Sequence, residues 1–169
     1  MPDGELVVSD TSPLLNLALI DRLDLLRDQF TTVVVPEQVW SELLAGEDGV
    51  EALRTVHDEG VIEIVSVEET PLGAEFRRTL DTGEAAALAY AIEADADLVL
   101  LDEREARQTA RRHGLSMTGV LGILLRGNRE GTVSLRAELD RLRTAGFWIA
   151  DDLYEKVLEQ ANAESSTHD

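Results

Sequence analysis

Cysteine is absent from the 169 residues, which excludes a disulfide framework, thiolate chemistry and a sulfur-ligated zinc or iron centre. The three histidines, His57, His113 and His168, are scattered along the chain, so a His-based metal site or triad has no support. No apolar run approaches the roughly 18 residues that mark a membrane-spanning helix. Nor does the N-terminus show a basic region leading into an apolar stretch and a small-residue cleavage site. A soluble cytoplasmic protein without membrane association is expected. Lysine is nearly missing too. Of fifteen basic residues only Lys156 is lysine and the rest are arginine, against 34 Asp and Glu, for a net charge of −19. Abundant acid with so little lysine fits adaptation to a cytoplasm holding molar salt. There the Debye length falls to roughly 3 Å and repulsion between surface carboxylates is screened.

What remains is a globular composition, 44% hydrophobic, in a length that suits one domain with a real core. That domain is expected over residues 1–161, with a disordered polar tail over 162–169. Leu6 to Ser9, Thr32 to Val35 and Asp97 to Leu101 are short apolar runs of the kind buried in parallel sheets. Val61 to Val67 alternates as an edge strand does. Between and after these runs lie helical stretches. Ser12-Pro13 reads as an N-cap with proline at the first helical position. Arg111, Arg112, His113 and Gly114 close another helix with cations and a glycine. Strands alternating with helices predict a three-layer α/β/α sandwich around a parallel sheet of about four or five strands.

Ligand sites in such sheets form outside the carboxyl ends of the strands. Two apolar runs end there in a carboxylate, Asp10 and Asp102. Charges on adjacent strand ends repel unless a cation bridges them. Glu84 falls in the first turn of its helix, and Glu42 on the polar side of the helix that carries Val39 and Leu43. Asp102 with Glu105, and Asp81 with Glu84, also have capping-box spacing, which gives each pair a second role. Other strand-end chemistries fit poorly. A phospho-acceptor receiver domain needs a late strand-end lysine, whereas Lys156 lies in the last helix. A haloacid-dehalogenase-type phosphatase needs Asp-x-Asp, and the run here is Asp10-Thr11-Ser12.

Four segments in order resemble the motifs of PIN domains. They are Val8 to Leu14, Val35 to Leu43, Thr82 to Ala89 and Ala96 to Arg104. Together with Thr118 to Gly122 and Ala145 to Ile149, they are similar to an uncharacterised prokaryotic PIN-like branch related to VapC-type toxin ribonucleases. The resemblance spans nearly the whole chain. It implies a divalent-metal-dependent endoribonuclease, the toxin of a toxin–antitoxin pair, with Asp10, Glu42, Glu84 and Asp102 as its acidic quartet. The family commonly has Asp where Glu84 stands. The Thr-x-Asp-Arg form of the fourth motif would align Glu103 with the acid. The strand-end position favours Asp102, with Glu103 as a further metal ligand.

Carboxylates and hydroxyls without cysteine or clustered histidine suit a hard cation, Mg²⁺ or Mn²⁺. Asp10, Glu84 and Asp102 are the expected ligands, with Glu42 orienting the attacking water. Thr11, Ser12, Arg104 and Arg107 are the expected substrate contacts. The expected partners are RNA, a small antitoxin protein and a second copy of the chain in a homodimer. The competing reading is a catalytically weak PIN-like module that sequesters a regulatory protein or nucleic acid. Its interface would use Gly119, Gly122, Phe147 and Trp148.

Overall fold

Consecutive residues of the buried strands point to opposite faces of the sheet, and each face builds its own core. In the computed structural model, which describes residues 5–166, Val7, Val33, Val35 and Leu100 join one cluster, and Val8, Val34, Val99 and Leu101 the other. The strands are β1 (Val7–Ser9), β2 (Val33–Pro36), β3 (Ile62–Val65), β4 (Leu98–Leu100) and β5 (Met117–Thr118). They form a five-stranded sheet in the order β3-β2-β1-β4-β5 with every pairing parallel.

The first core is covered by α1 (Thr11–Leu19), α2 (Asp24–Phe30), α3 (Glu37–Ala45), α4 (Val50–Asp58), α8 (Val120–Arg129), α9 (Leu135–Thr144) and α10 (Asp151–Ser166). The second is covered by α5 (Pro71–Phe76), α6 (Thr82–Glu93) and α7 (Arg104–Arg112). This is the expected three-layer sandwich. Alanine dominates the buried side of α6: Ala85, Ala87, Ala89 and Ala91 are almost without exposure.

Three sequence expectations need correction. Helix α1 begins at Thr11, with Asp10 rather than Ser12 in the N-cap position. The Asp10 N–H still donates to Leu100 O of β4 (3.1 Å), so the chain passes directly from the sheet ladder into the helix. Pro13 then falls within the first turn, where its missing N–H has no intrahelical partner to lose. Helix α10 continues past residue 161 to Ser166, and residues 167–169 lie outside the described residues. The short β5 has no counterpart in the expected elements. Among the described residues no helix is long and apolar enough to cross a membrane.

The chain begins at the centre of the sheet, builds outward to β3, then crosses back to β4 on the other side of β1. The connections after β1 and β4 therefore diverge, and the crevice this leaves is where doubly wound folds place their sites.

Candidate active site: an acidic cleft at the β1–β4 crevice

A cleft of about 560 Å³ opens at this crevice, lined by Asp10, Thr11, Ser12, Glu42, Asp81, Glu84, Glu103, Arg104 and Glu105. Six of the nine are carboxylates. Asp10 is the deepest. It is 2% exposed, and its Oδ1 has no hydrogen-bond partner. Burial pushes its carboxyl up to about 7, against the Thr11 backbone N–H, which favours the charged form; Glu84, Asp81 and Glu42 push it up further by repulsion. A buried carboxylate that lacks a partner and is crowded by like charges is an uncompensated cost in the bare protein.

Glu42 comes from α3 and is held by Thr11, whose hydroxyl donates to Glu42 Oε2 (3.0 Å). A Cβ on Gly83 would lie 2.8 Å from Glu42 Oε2 and 3.6 Å from Asp10 Oδ1. The missing side chain at Gly83 is what lets both carboxylates approach the N-terminal turn of α6.

Glu84 sits in a reciprocal capping box. Its backbone N–H donates to Asp81 Oδ1 (2.8 Å), and its Oε1 accepts from the Asp81 N–H (3.1 Å). Burial raises its carboxyl despite the Asp81 N–H, and Asp81, Glu103 and Glu105 add to the rise. The capping role and the cleft position therefore coexist in one side chain.

At the end of β4 the two neighbouring acids part company. Asp102 does not line the cleft. Its Oδ1 accepts from the Val120 N–H at the start of α8 (2.9 Å). A Cβ on Gly119 would come within 2.2 Å of that same oxygen. Burial raises the Asp102 carboxyl, opposed by the Val120 N–H, the Asn16 side chain and Arg107. Glu103 lines the cleft, and the Ser12 hydroxyl donates to its Oε1 (3.3 Å). Asp102 thus stands at the expected edge of the sheet, with Oδ1 tied to the N-terminus of α8 and the buried Oδ2 without a hydrogen-bond partner.

Of the two expected phosphate-binding arginines, Arg104 lines the cleft, whereas Arg107 points inward and donates to Leu101 O (2.8 Å). Asp81 and Glu105 line the cleft without having been singled out as site residues. The signal for Asp81 was its spacing from Glu84, because a capping partner must lie at the same helix end. Among the described residues no three His, Cys, Asp or Glu side chains form a ready-made metal-binding group. An all-oxygen donor set at an edge where Asp10 Oδ1 and Asp102 Oδ2 are both buried without a hydrogen-bond partner nonetheless fits Mg²⁺ or Mn²⁺. Mg²⁺ characteristically keeps several waters and takes only one or two protein carboxylates together with substrate phosphates.

The model of the PIN-domain family DUF3368 matches residues 6–163, and the chain belongs to that family. Its fold is of the nuclease type, and PIN domains usually use Mg²⁺ or Mn²⁺. Among solved structures the chain is similar to a PilT N-terminus domain protein, SSO1118, from the hyperthermophilic archaeon Sulfolobus solfataricus P2. The TM-score is 0.53 at 14% identity, covering 79% of this chain and 94% of that one. At that identity the likeness concerns the fold. A comparison with curated proteins finds no match.

Proposed function

We propose that the chain is a divalent-metal-dependent endoribonuclease, the toxin component of a toxin–antitoxin pair acting on RNA in the cytoplasm. The observation that carries this reading is Asp10: a buried carboxylate with an unpartnered oxygen at the floor of a carboxylate-lined cleft, in a PIN-family chain. Asp10 would hold Mg²⁺ or Mn²⁺ through Oδ1, with Glu42, Glu84 and Glu103 completing the oxygen set. When bound, such an ion supplies a water of lowered pKa and positive charge opposite the phosphate. Glu42, held by Thr11, would orient the attacking water and take its proton. Arg104 is the cleft's one cation and would bind the phosphate, with the hydroxyls of Thr11 and Ser12 beside it. Asp102 contributes at one remove, by pinning α8 to the end of β4.

At −19 the protein repels RNA at low salt, so the function belongs with the halophilic composition. In molar salt that repulsion is screened. A second reading is favoured by the lack of a preassembled three-ligand group: a catalytically weak module that sequesters a regulatory protein or nucleic acid. Titrating Mn²⁺ against cleavage of a labelled RNA separates the two. The nuclease reading expects cleavage that saturates with Mn²⁺, stops with chelator and is lost in Asp10→Asn while the fold is kept. Activity in Asp10→Asn equal to wild type, or undiminished in chelator, would reject it.

A further inference from the structure

In a chain where carboxylates outnumber cations by more than two to one, an arginine without an acidic partner is unexpected. Eight of the arginines are ion-paired. Among the described residues six have no ion pair, Arg78, Arg104, Arg107, Arg111, Arg112 and Arg136, and four of the six lie on α7, although Glu103 and Glu105 stand in the same segment. Arg104 lines the acidic cleft. Arg112 lines a second groove of about 390 Å³ with Thr79, Gln108, Thr109 and Glu105. Glu105 lines both, so the groove adjoins the cleft.

Arg104, Gln108 and Arg112 are spaced by four and share one face of α7. From first to last they span about 12 Å at 1.5 Å per residue, enough for several phosphates at the ~3.4 Å spacing of a stacked strand. The opposite wall is the turn between α5 and α6, which carries Thr79. His113, capping α7, packs edge-on against Phe76 with ring centroids 5.3 Å apart, which ties the two walls together at the far end. The donors along the groove beyond Glu105 are a guanidinium, an amide and hydroxyls. No aromatic ring lines it, so nothing there selects a base by stacking.

We propose that this groove is a subsite for the backbone of single-stranded RNA leading away from the acidic cleft, with Arg112 as its distal phosphate contact. The proposal rests on the nuclease reading for its substrate. Strand polarity and register are left to the substrate. Bases project outward, so recognition is tolerant of sequence.

The test is the salt dependence of binding. A fluorescently labelled twelve-nucleotide single-stranded RNA is titrated with the full chain carrying Asp10→Asn, which prevents cleavage. The salt range is that over which the far-UV spectrum is unchanged. Each lost phosphate contact lowers the slope of log K against log salt by ~0.7 for a single strand. Adding Arg112→Gln should lower the slope by about that amount and weaken binding several-fold. Arg136→Gln, another arginine with no ion pair but on α9, should leave both unchanged. Cleavage of a dinucleotide by otherwise wild-type protein should be the same with and without Arg112→Gln, because that substrate does not reach the groove. An unchanged slope in Arg112→Gln, an equal loss in Arg136→Gln, or duplex RNA bound as tightly as the single strand would overturn the groove. If single strands bind through Arg112 but Mn²⁺-dependent cleavage is absent, the groove stands and the nuclease reading falls.

Discussion

Replacing Asp10 by asparagine should make the metal-free protein more stable, and only above acidic pH. The carboxyl moves from 3.8 in the unfolded chain to about 7 in the folded one. Below the lower value both states hold the proton and the group is neutral to stability. Between the two, the unfolded chain ionises while the folded protein stays protonated. Stability therefore falls as pH rises, and the loss is complete once the folded carboxyl has also ionised. At 1.36 kcal/mol per pH unit the shift of about three units corresponds to ~4 kcal/mol. Asp10 is 2% exposed, so solvent screening removes little of this. Glu84 and Asp102 are shifted the same way, which is why the comparison must be between wild type and Asp10→Asn, which keeps both of those carboxyls in place. The assay is chemical denaturation of both proteins with chelator, in molar potassium chloride, from pH 4 to pH 8. Asparagine cannot ionise, so the stability gap between variant and wild type should widen by ~4 kcal/mol over that range. Addition of Mn²⁺ at pH 8 should stabilise the wild type and leave the variant where it was. A gap that stays constant with pH would refute the burial argument, and with it the picture of Asp10 as a ligand without a partner.

The acids around Asp10 and the buried Glu138 elsewhere give four further tests. Gly83→Ala puts a methyl 2.8 Å from Glu42 Oε2; Mn²⁺ affinity by calorimetry should drop about tenfold. Overall stability should change by no more than ~1 kcal/mol, since alanine is the better helix former. Asp102→Ala strips the acceptor from the buried Val120 N–H and should cost ~1–3 kcal/mol with Mn²⁺ affinity retained. Glu103→Gln should do the reverse, and a Glu103→Gln protein with undiminished Mn²⁺ binding would contradict its place in the cleft. Glu138 is 1% exposed and joins Arg22 and Arg141 through Oε1, each at 3.0 Å. Glu138→Ala leaves the part-buried Arg22 with Asp24 alone, 4.0 Å away, and should lower stability in denaturant melts by roughly 2 kcal/mol, with RNA cleavage unchanged.

The architecture was legible because the buried strands are short and apolar and the helices between them carry periodic apolar faces, even though α1, α2, α3, α4, α7, α8 and α9 begin without a side-chain cap. Strand β5 was not, because Met117-Thr118 makes a two-residue ladder whose pairing comes entirely from its neighbour β4. For the site, the edge of the sheet could be read from Asp10 alone. What could not be read was side-chain direction after β4: Asp102 and Glu103 are adjacent, and which one enters the cleft depends on where α8 begins, eighteen residues downstream of Asp102. Arg104 and Arg107 lie about one turn apart on the same side of α7, so their spacing could not separate the arginine that lines the cleft from the one that donates to Leu101 O. Glu138 was readable in principle. It falls between Leu135, Leu139 and Leu142 on the apolar side of α9, where a carboxylate needs a partner, but the sequence alone does not say that Arg22 reaches it.

The central claim is that Asp10 anchors a divalent cation in the acidic cleft, and anomalous diffraction from crystals grown with Mn²⁺ tests it most directly. The account predicts an anomalous peak ~2.0–2.2 Å from Asp10 Oδ1, with Glu42, Glu84 or Glu103 around it and Asp102 still on the Val120 N–H. Strong Mn²⁺ peaks elsewhere with none at Asp10, at a concentration that supports RNA cleavage, would contradict it.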